Sequence, residues 1–83
     1  MKFFMRDLEI GKTYRHFKGN FYIVLDIAYH SETLEKYVVY KALYGDYKTY
    51  IRPLEMFLEE VDVNREDNKF NQKYRFERVD VKC

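Results

Sequence analysis

The sequence predicts a mainly β domain, a small SH3-like antiparallel barrel of five or six short strands with one short helical turn after Pro53. Three observations carry this. Turn residues recur at Gly11, Lys18-Gly19-Asn20, Gly45-Asp46 and Pro53, and they cut the chain into strand-length runs. The runs are rich in β-branched and aromatic residues, with nine Tyr and seven Phe in 83 residues, types that fit a pleated, half-buried surface. A chain this short also needs to hide its sheet edges, and closing the sheet does so.

The elements follow in order. Residues 13 to 18 alternate, with Thr13, Arg15 and Phe17 on one face and Tyr14, His16 and Lys18 on the other. Gly19-Asn20 supplies a tight turn into residues 21 to 29. That run, FYIVLDIAY, is apolar on both faces except at Asp26, which suits a central strand of a strongly curved sheet. Residues 31 to 35 read as a tight loop or a single helical turn capped by Ser31 or Thr33. Residues 36 to 44 form the next strand, and Gly45-Asp46 turns the chain into a strand over 48 to 52. Pro53 fits the first position of a helix, whose inner face is Leu54, Phe57 and Leu58, with Glu55 and Glu59 outward. Val61 and Val63 alternate with polar residues as a brief strand, and 64 to 72 is a polar loop. Residues 73 to 81 alternate again as a last strand, with an irregularity near Arg78.

The length fits a single domain over 1–83. The one cysteine, Cys83, cannot form an internal disulfide, which fits a reducing compartment. The apolar run at the start is interrupted by Arg6 and Asp7 and is too short for a signal peptide, and no stretch reaches membrane length. The cytoplasm is the expected location, with no membrane partner. Fifteen basic residues against fourteen acidic ones give a net charge of +1, which is no footprint for non-specific nucleic-acid binding.

Catalytic devices are scarce. Ser31 follows His30 directly, and neighbours on a strand point to opposite faces, so the pair is no triad. There is no Gly-rich phosphate loop, and two histidines without a Cys pair predict no metal site. No cofactor and no catalytic residue is expected.

Three places can carry a ligand or partner. The first is His30-Ser31-Glu32-Thr33, four hydrogen-bonding side chains at a strand end. Its plain alternative is turn chemistry, with His30 paired to a carboxylate. The second is Arg52, held extended before Pro53. Its guanidinium can grip a phosphate or carboxylate, or clamp Glu32 or Glu35 within the protein. The third is the stripe of Tyr14, His16 and Lys18, which suits a base or an anion and otherwise is an exposed strand face. Tyr22, Tyr29, Tyr37, Tyr40, Tyr44, Tyr47 and Tyr50 are spread through the strands. Sixteen aromatic residues exceed what a five-stranded core holds easily, which supports an aromatic binding face or a homodimer.

Four stretches carry a family resemblance: Tyr14-Arg15-His16-Phe17-Lys18-Gly19, His30-Ser31-Glu32-Thr33-Leu34-Glu35, Val38 to Asp46 (VVYKALYGD), and Ile51-Arg52-Pro53-Leu54-Glu55-Met56-Phe57. From about Gly11 to Val63 the chain resembles the bacterial family called domain of unknown function 1653. The resemblance implies a small SH3-type barrel without an agreed activity or a known cofactor. The chain departs from the family at Tyr50, where Trp is usual, which weakens a stacking role there. Residues 64–83, a loop plus the C-terminal strand, lie outside the resemblance.

The expected function is a non-catalytic binding module for a protein, peptide or RNA partner. Its face combines tyrosines, Tyr50 among them, with His30, Ser31, Glu32, Thr33 and Arg52. One alternative is a small enzyme or nucleotide- or anion-binding domain, with His30 as acid/base and Arg52 as anion holder. Another is a structural homo-oligomer subunit.

Overall fold

The computed structural model describes residues 7–80. The strands are β1 (Thr13–His16), β2 (Phe21–Tyr29), β3 (Lys36–Ala42), β4 (Thr49–Pro53) and β5 (Phe76–Arg78), with one helix, α1 (Leu54–Phe57), between β4 and β5. All five strands lie antiparallel in one sheet, in the order β4-β3-β2-β1-β5. The sheet curls but does not close: β4 and β5 are its edges, so the barrel-like description holds only loosely. Side chains bridge the gap instead. Phe76 of β5 lies 5.5 Å from the ring of Tyr40 on β3 and stacks on Phe57 of α1 at 4.1 Å.

The curl has a local cause in β2. Val24 pairs with Tyr40 and Asp26 with Val39, which leaves Leu25 without a partner as a β-bulge. A bulge bends its strand and raises the local twist. It also shifts the alternation by one residue. Tyr22 and Val24 face inward before it, and Ile27, opposite Val38, faces inward after it. This is why the run reads as apolar on both faces. The extra position lets Asp26 stay exposed, where its carboxylate accepts the N–H of Ile27 at 2.7 Å.

The core consists of Tyr14, Val24, Val38, Tyr40, Phe57 and Phe76, with Leu8, Tyr22, Leu54 and Leu58 packed against it. The helical face Leu54, Phe57 and Leu58 forms as its spacing predicts. Pro53 does not open the helix, however. It is the last residue of β4 and precedes the first helical turn with ψ 137°. An edge strand tolerates a residue without an N–H.

Three further expectations change. Phe17 is buried, although alternation placed it with the half-buried Thr13 and Arg15. β1 ends at His16, and Gly19, at φ 113°, closes the turn by donating its N–H to the His16 carbonyl at 2.7 Å. Phe17 then tucks under β5, donating its N–H to the Arg75 carbonyl at 2.9 Å. Glu59 does not face water freely but is tied to Arg75, whose Nε lies 3.0 Å from Glu59 Oε2. Val61 and Val63 form no strand. Their segment is joined to the chain before β5 by one bridge, Glu60 to Tyr74, and by the bond from Val61 N–H to the Lys73 carbonyl at 2.8 Å.

The polar loop 64–72 is ordered by two buried amides. Asn68 donates from Nδ2 to the carbonyls of Asp62 and Gln72 and accepts from the Gln72 N–H at 2.8 Å. Gln72 donates from Nε2 to the carbonyls of Arg15 and Tyr74, each at 3.1 Å, and accepts from Arg15 Nε. The last strand is three residues, shorter than alternation over 73 to 81 predicted, and Val81 and Cys83 lie outside the described residues. Among the described residues, no helix is long and apolar enough to cross a membrane.

Candidate functional site

The register of β3 and β4 fixes what the inner face of the sheet displays. Tyr50 pairs with Tyr40 and Arg52 with Val38. Residues directly opposite each other share a face, so Tyr50 and Arg52 stand on the same side as the buried Tyr40 and Val38. Tyr22 joins that face opposite Ala42, and His16 joins it opposite Phe76. One end of the face is filled by α1, Leu8 and Leu58. The other end is a partly open aromatic mouth made by His16, Tyr22, Tyr44, Tyr50 and Arg52.

Ring geometry ties this mouth together. Tyr22 makes edge contacts with Tyr40 at 5.4 Å, Tyr44 at 5.5 Å and Phe76 at 5.6 Å. Its hydroxyl shares a hydrogen bond of 2.7 Å with that of Tyr44. Burial and that bond push the Tyr22 phenol above its ordinary range, so it stays protonated. Tyr50 lies 5.8 Å from Tyr40 at a 33° tilt and is 41% exposed. It is a platform with one side on the core and the other open.

Arg52 is half-buried. Its Nε donates to the Tyr40 hydroxyl at 3.2 Å, and its guanidinium carbon lies 5.7 Å from the centre of the Phe76 ring. Among the described residues it meets no carboxylate, so it clamps neither Glu32 nor Glu35. Of the other described arginines, Arg75 is paired with Glu59, Arg65 with Asp67, and Arg78 with Glu9 and Asp80, while Arg15 donates to Gln72 and lies over the Phe70 ring. The bond to Tyr40 holds Arg52 in place without neutralising it.

His16 sits against the same Phe76 ring at 4.9 Å and beside Phe17 at 4.4 Å. Its Nδ1 accepts the Lys18 N–H at 3.1 Å, so the neutral ring carries its proton on Nε2. Burial lowers its pKa from 6.5 to about 4, with the positive charges of Arg75, Arg52 and Lys18 acting in the same direction and Asp67 opposing them. His16 is therefore a neutral hydrogen-bond donor at neutral pH, unsuited to acid–base work there.

The other predicted residues fall elsewhere. His30, Ser31, Glu32 and Thr33 form the exposed turn between β2 and β3. Among the described residues, His30 has no carboxylate partner. Its Nδ1 accepts the N–H groups of Glu32 at 3.2 Å and Thr33 at 3.3 Å, while Thr33 Oγ1 accepts the Glu35 N–H at 3.2 Å. Leu34 turns the chain at φ 62°, and Glu35 accepts the Tyr37 hydroxyl at 3.1 Å, which raises the pKa of that phenol. No contact among the described residues joins this turn to Arg52 or His16. Tyr14 is buried in the core and its hydroxyl accepts the Glu9 N–H at 3.1 Å, so it presents no binding surface. Lys18 is exposed in the turn after β1, 3.9 Å from Asp67. The stripe Tyr14, His16, Lys18 thus contributes only His16 to the mouth.

Tyr22, Tyr40, Tyr44 and Phe76 were not singled out from the sequence as site residues. Pairing Tyr22 with Ala42 and Tyr40 with Tyr50 would have placed three of them together, but the bulge at Leu25 hides that register in the sequence.

Comparison with known proteins agrees with this fold. A crystal structure of a DUF1653 protein from Bordetella bronchiseptica is 35% identical, covers 88% of each chain, and superimposes with a TM-score of 0.70. No curated protein matches the chain. The model of the family described as "Protein of unknown function (DUF1653)" matches residues 12–78, past Val63 where the resemblance was expected to end, and so takes in β1 to β5 and the ordered loop between 64 and 72. With its whole sheet inside that match, the chain belongs to the DUF1653 family.

Proposed function

We propose that the chain is a cytoplasmic, non-catalytic binding module that receives a protein, peptide or RNA partner at the aromatic mouth of its inner face. One observation carries this reading. Arg52 is half-buried, fixed by Tyr40 and unneutralised among the described residues, beside the exposed ring of Tyr50. Withdrawing a cation from water costs free energy that a carboxylate normally offsets. Here a partner's group can offset it. The neutral His16 is a donor for such a group and is not a base near pH 7.

Affinity capture from cell lysate tests this reading, with folding of each variant checked by circular dichroism. Arg52→Gln and Tyr50→Ala are expected to lose the captured partner and His30→Ala to keep it. Retention by the first two, both folded, would place the binding surface elsewhere.

One observation favours a second reading, a homo-oligomer subunit. Ile51 is 64% exposed on the edge strand β4, beside Val39 on the outer face. Exposed apolar edges invite pairing with another chain. Sedimentation of the wild type as a monomer would leave that reading without support.

A further inference from the structure

We propose that the group taken at the mouth is a single oxyanion, a phosphate monoester or carboxylate, carried on a planar ring that stacks on Tyr50. The inference rests on the binding-module reading and names the chemistry of that same site. Three features argue for it.

The first is donor geometry. Arg52 spends its Nε on the Tyr40 hydroxyl, which leaves the terminal NH₂ groups to face a ligand as a planar fork. Phe76 is the common wall: the guanidinium carbon of Arg52 lies 5.7 Å from its ring centre and the His16 ring 4.9 Å. The engaged Nδ1 of His16 leaves its Nε2–H as the remaining donor. Two donors against one ring suit one small anionic group.

The second is the field. Arg75, Arg52 and Lys18 all disfavour a proton on His16, so the local potential is positive. Asp67 is the acid that opposes them, and Arg65 holds its carboxyl below the ordinary value. The chain as a whole is close to neutral, at +1. A positive spot on a neutral molecule attracts one anionic group and gives no long-range pull on a polyanion.

The third is the platform. Tyr50 and Tyr44 are 41% and 40% exposed at the rim, while Tyr40 beneath them is buried. A planar ring laid on Tyr50 gains stacking that inorganic phosphate cannot.

The test is a titration of the full chain, followed by two-dimensional NMR, with phenyl phosphate, benzoate and inorganic phosphate. The ring-bearing anions are expected to shift the signals of Tyr50, Arg52 Nε–H and His16. They are also expected to bind about fivefold or more tighter than inorganic phosphate. An anion beside His16 stabilises its charged form, so the His16 titration moves upward in the complex. Arg52→Gln is expected to weaken binding about tenfold or more. Arg52→Lys keeps the charge and loses the planar fork, and is expected to weaken binding even where the Gln variant folds poorly. The inference fails if no ring anion moves these signals, or if inorganic phosphate binds equally well, as an adventitious ion only. If capture from lysate depends on Arg52 and Tyr50 while no ring anion binds, the oxyanion chemistry is wrong and the binding-module reading stands. If both fail, both readings fall.

Discussion

At His16 the surroundings decide the protonation state, and the consequence reaches folding. Its pKa in the folded chain is about 4, against 6.5 for an ordinary histidine. Between these values the unfolded chain binds more protons than the folded one, so stability rises with pH across that window. The contribution is fully present above pH 6.5 and is lost as pH falls to about 4. Its size is on the order of 1 kcal/mol, below the unscreened equivalent of the shift because the ring is only half-buried. Urea unfolding at a series of pH values checks this, and His16→Gln is expected to flatten the profile between those limits. Tyr40 offers a second residue-scale test. Tyr40→Phe removes the acceptor of Arg52 Nε, and its expected cost is about 1 kcal/mol, read from the shift in the urea midpoint.

At the scale of elements, the single turn of α1 matters more than its length suggests. Phe57 is buried, stacks on Phe76, and packs edge-on against Tyr14 at 5.5 Å and Tyr40 at 5.3 Å. It fills the space a closed barrel would fill with backbone pairing. Phe57→Ala is expected to cost about 3–5 kcal/mol, enough to leave so small a domain largely unfolded at 37 °C by circular dichroism. The loop before β5 depends on Asn68 in the same way. Asn68→Ala leaves the carbonyls of Asp62 and Gln72 and the Gln72 N–H without their partner, at an expected cost of about 2 kcal/mol. By contrast, His30→Ala removes only an exposed turn acceptor, and a change below about 1 kcal/mol is expected from the same measurement.

These elements also show what the sequence made legible. The hairpins and the helical face came through because turn residues and three-four spacing are local signals. The Leu25 bulge did not, because a register shift depends on which residue of β3 lies opposite. The buried amides of 68 and 72 were equally hidden, since polar composition marks a loop but does not say which amides bond inward. The short β5 was overread because alternation continues after pairing stops.

The described residues form an open, curled sheet whose two edge strands are bridged by side chains, with Arg52 of β4 over the Phe76 ring of β5 and Tyr40 and Phe57 packed on that ring. The described aromatic residues divide between core and surface. Tyr14, Phe17, Tyr40, Phe57 and Phe76 are buried, while Tyr44, Tyr50, Phe21, Tyr29, Tyr47 and Phe70 are exposed. Of the residues the sequence marked for a site, Arg52, Tyr50 and His16 meet at one mouth, and the His30 turn stands apart. Their meeting could not be read from the chain, because it depends on the curl that carries β5 across to β3. The central claim is that a guanidinium without a carboxylate partner among the described residues and a neutral imidazole share that mouth. An NMR titration of the His16 ring protons in the wild type and in Arg52→Gln tests it most directly. The account predicts a midpoint near 4 in the wild type and a higher one in the variant. A wild-type midpoint at the ordinary 6.5, unmoved by the substitution, would contradict it.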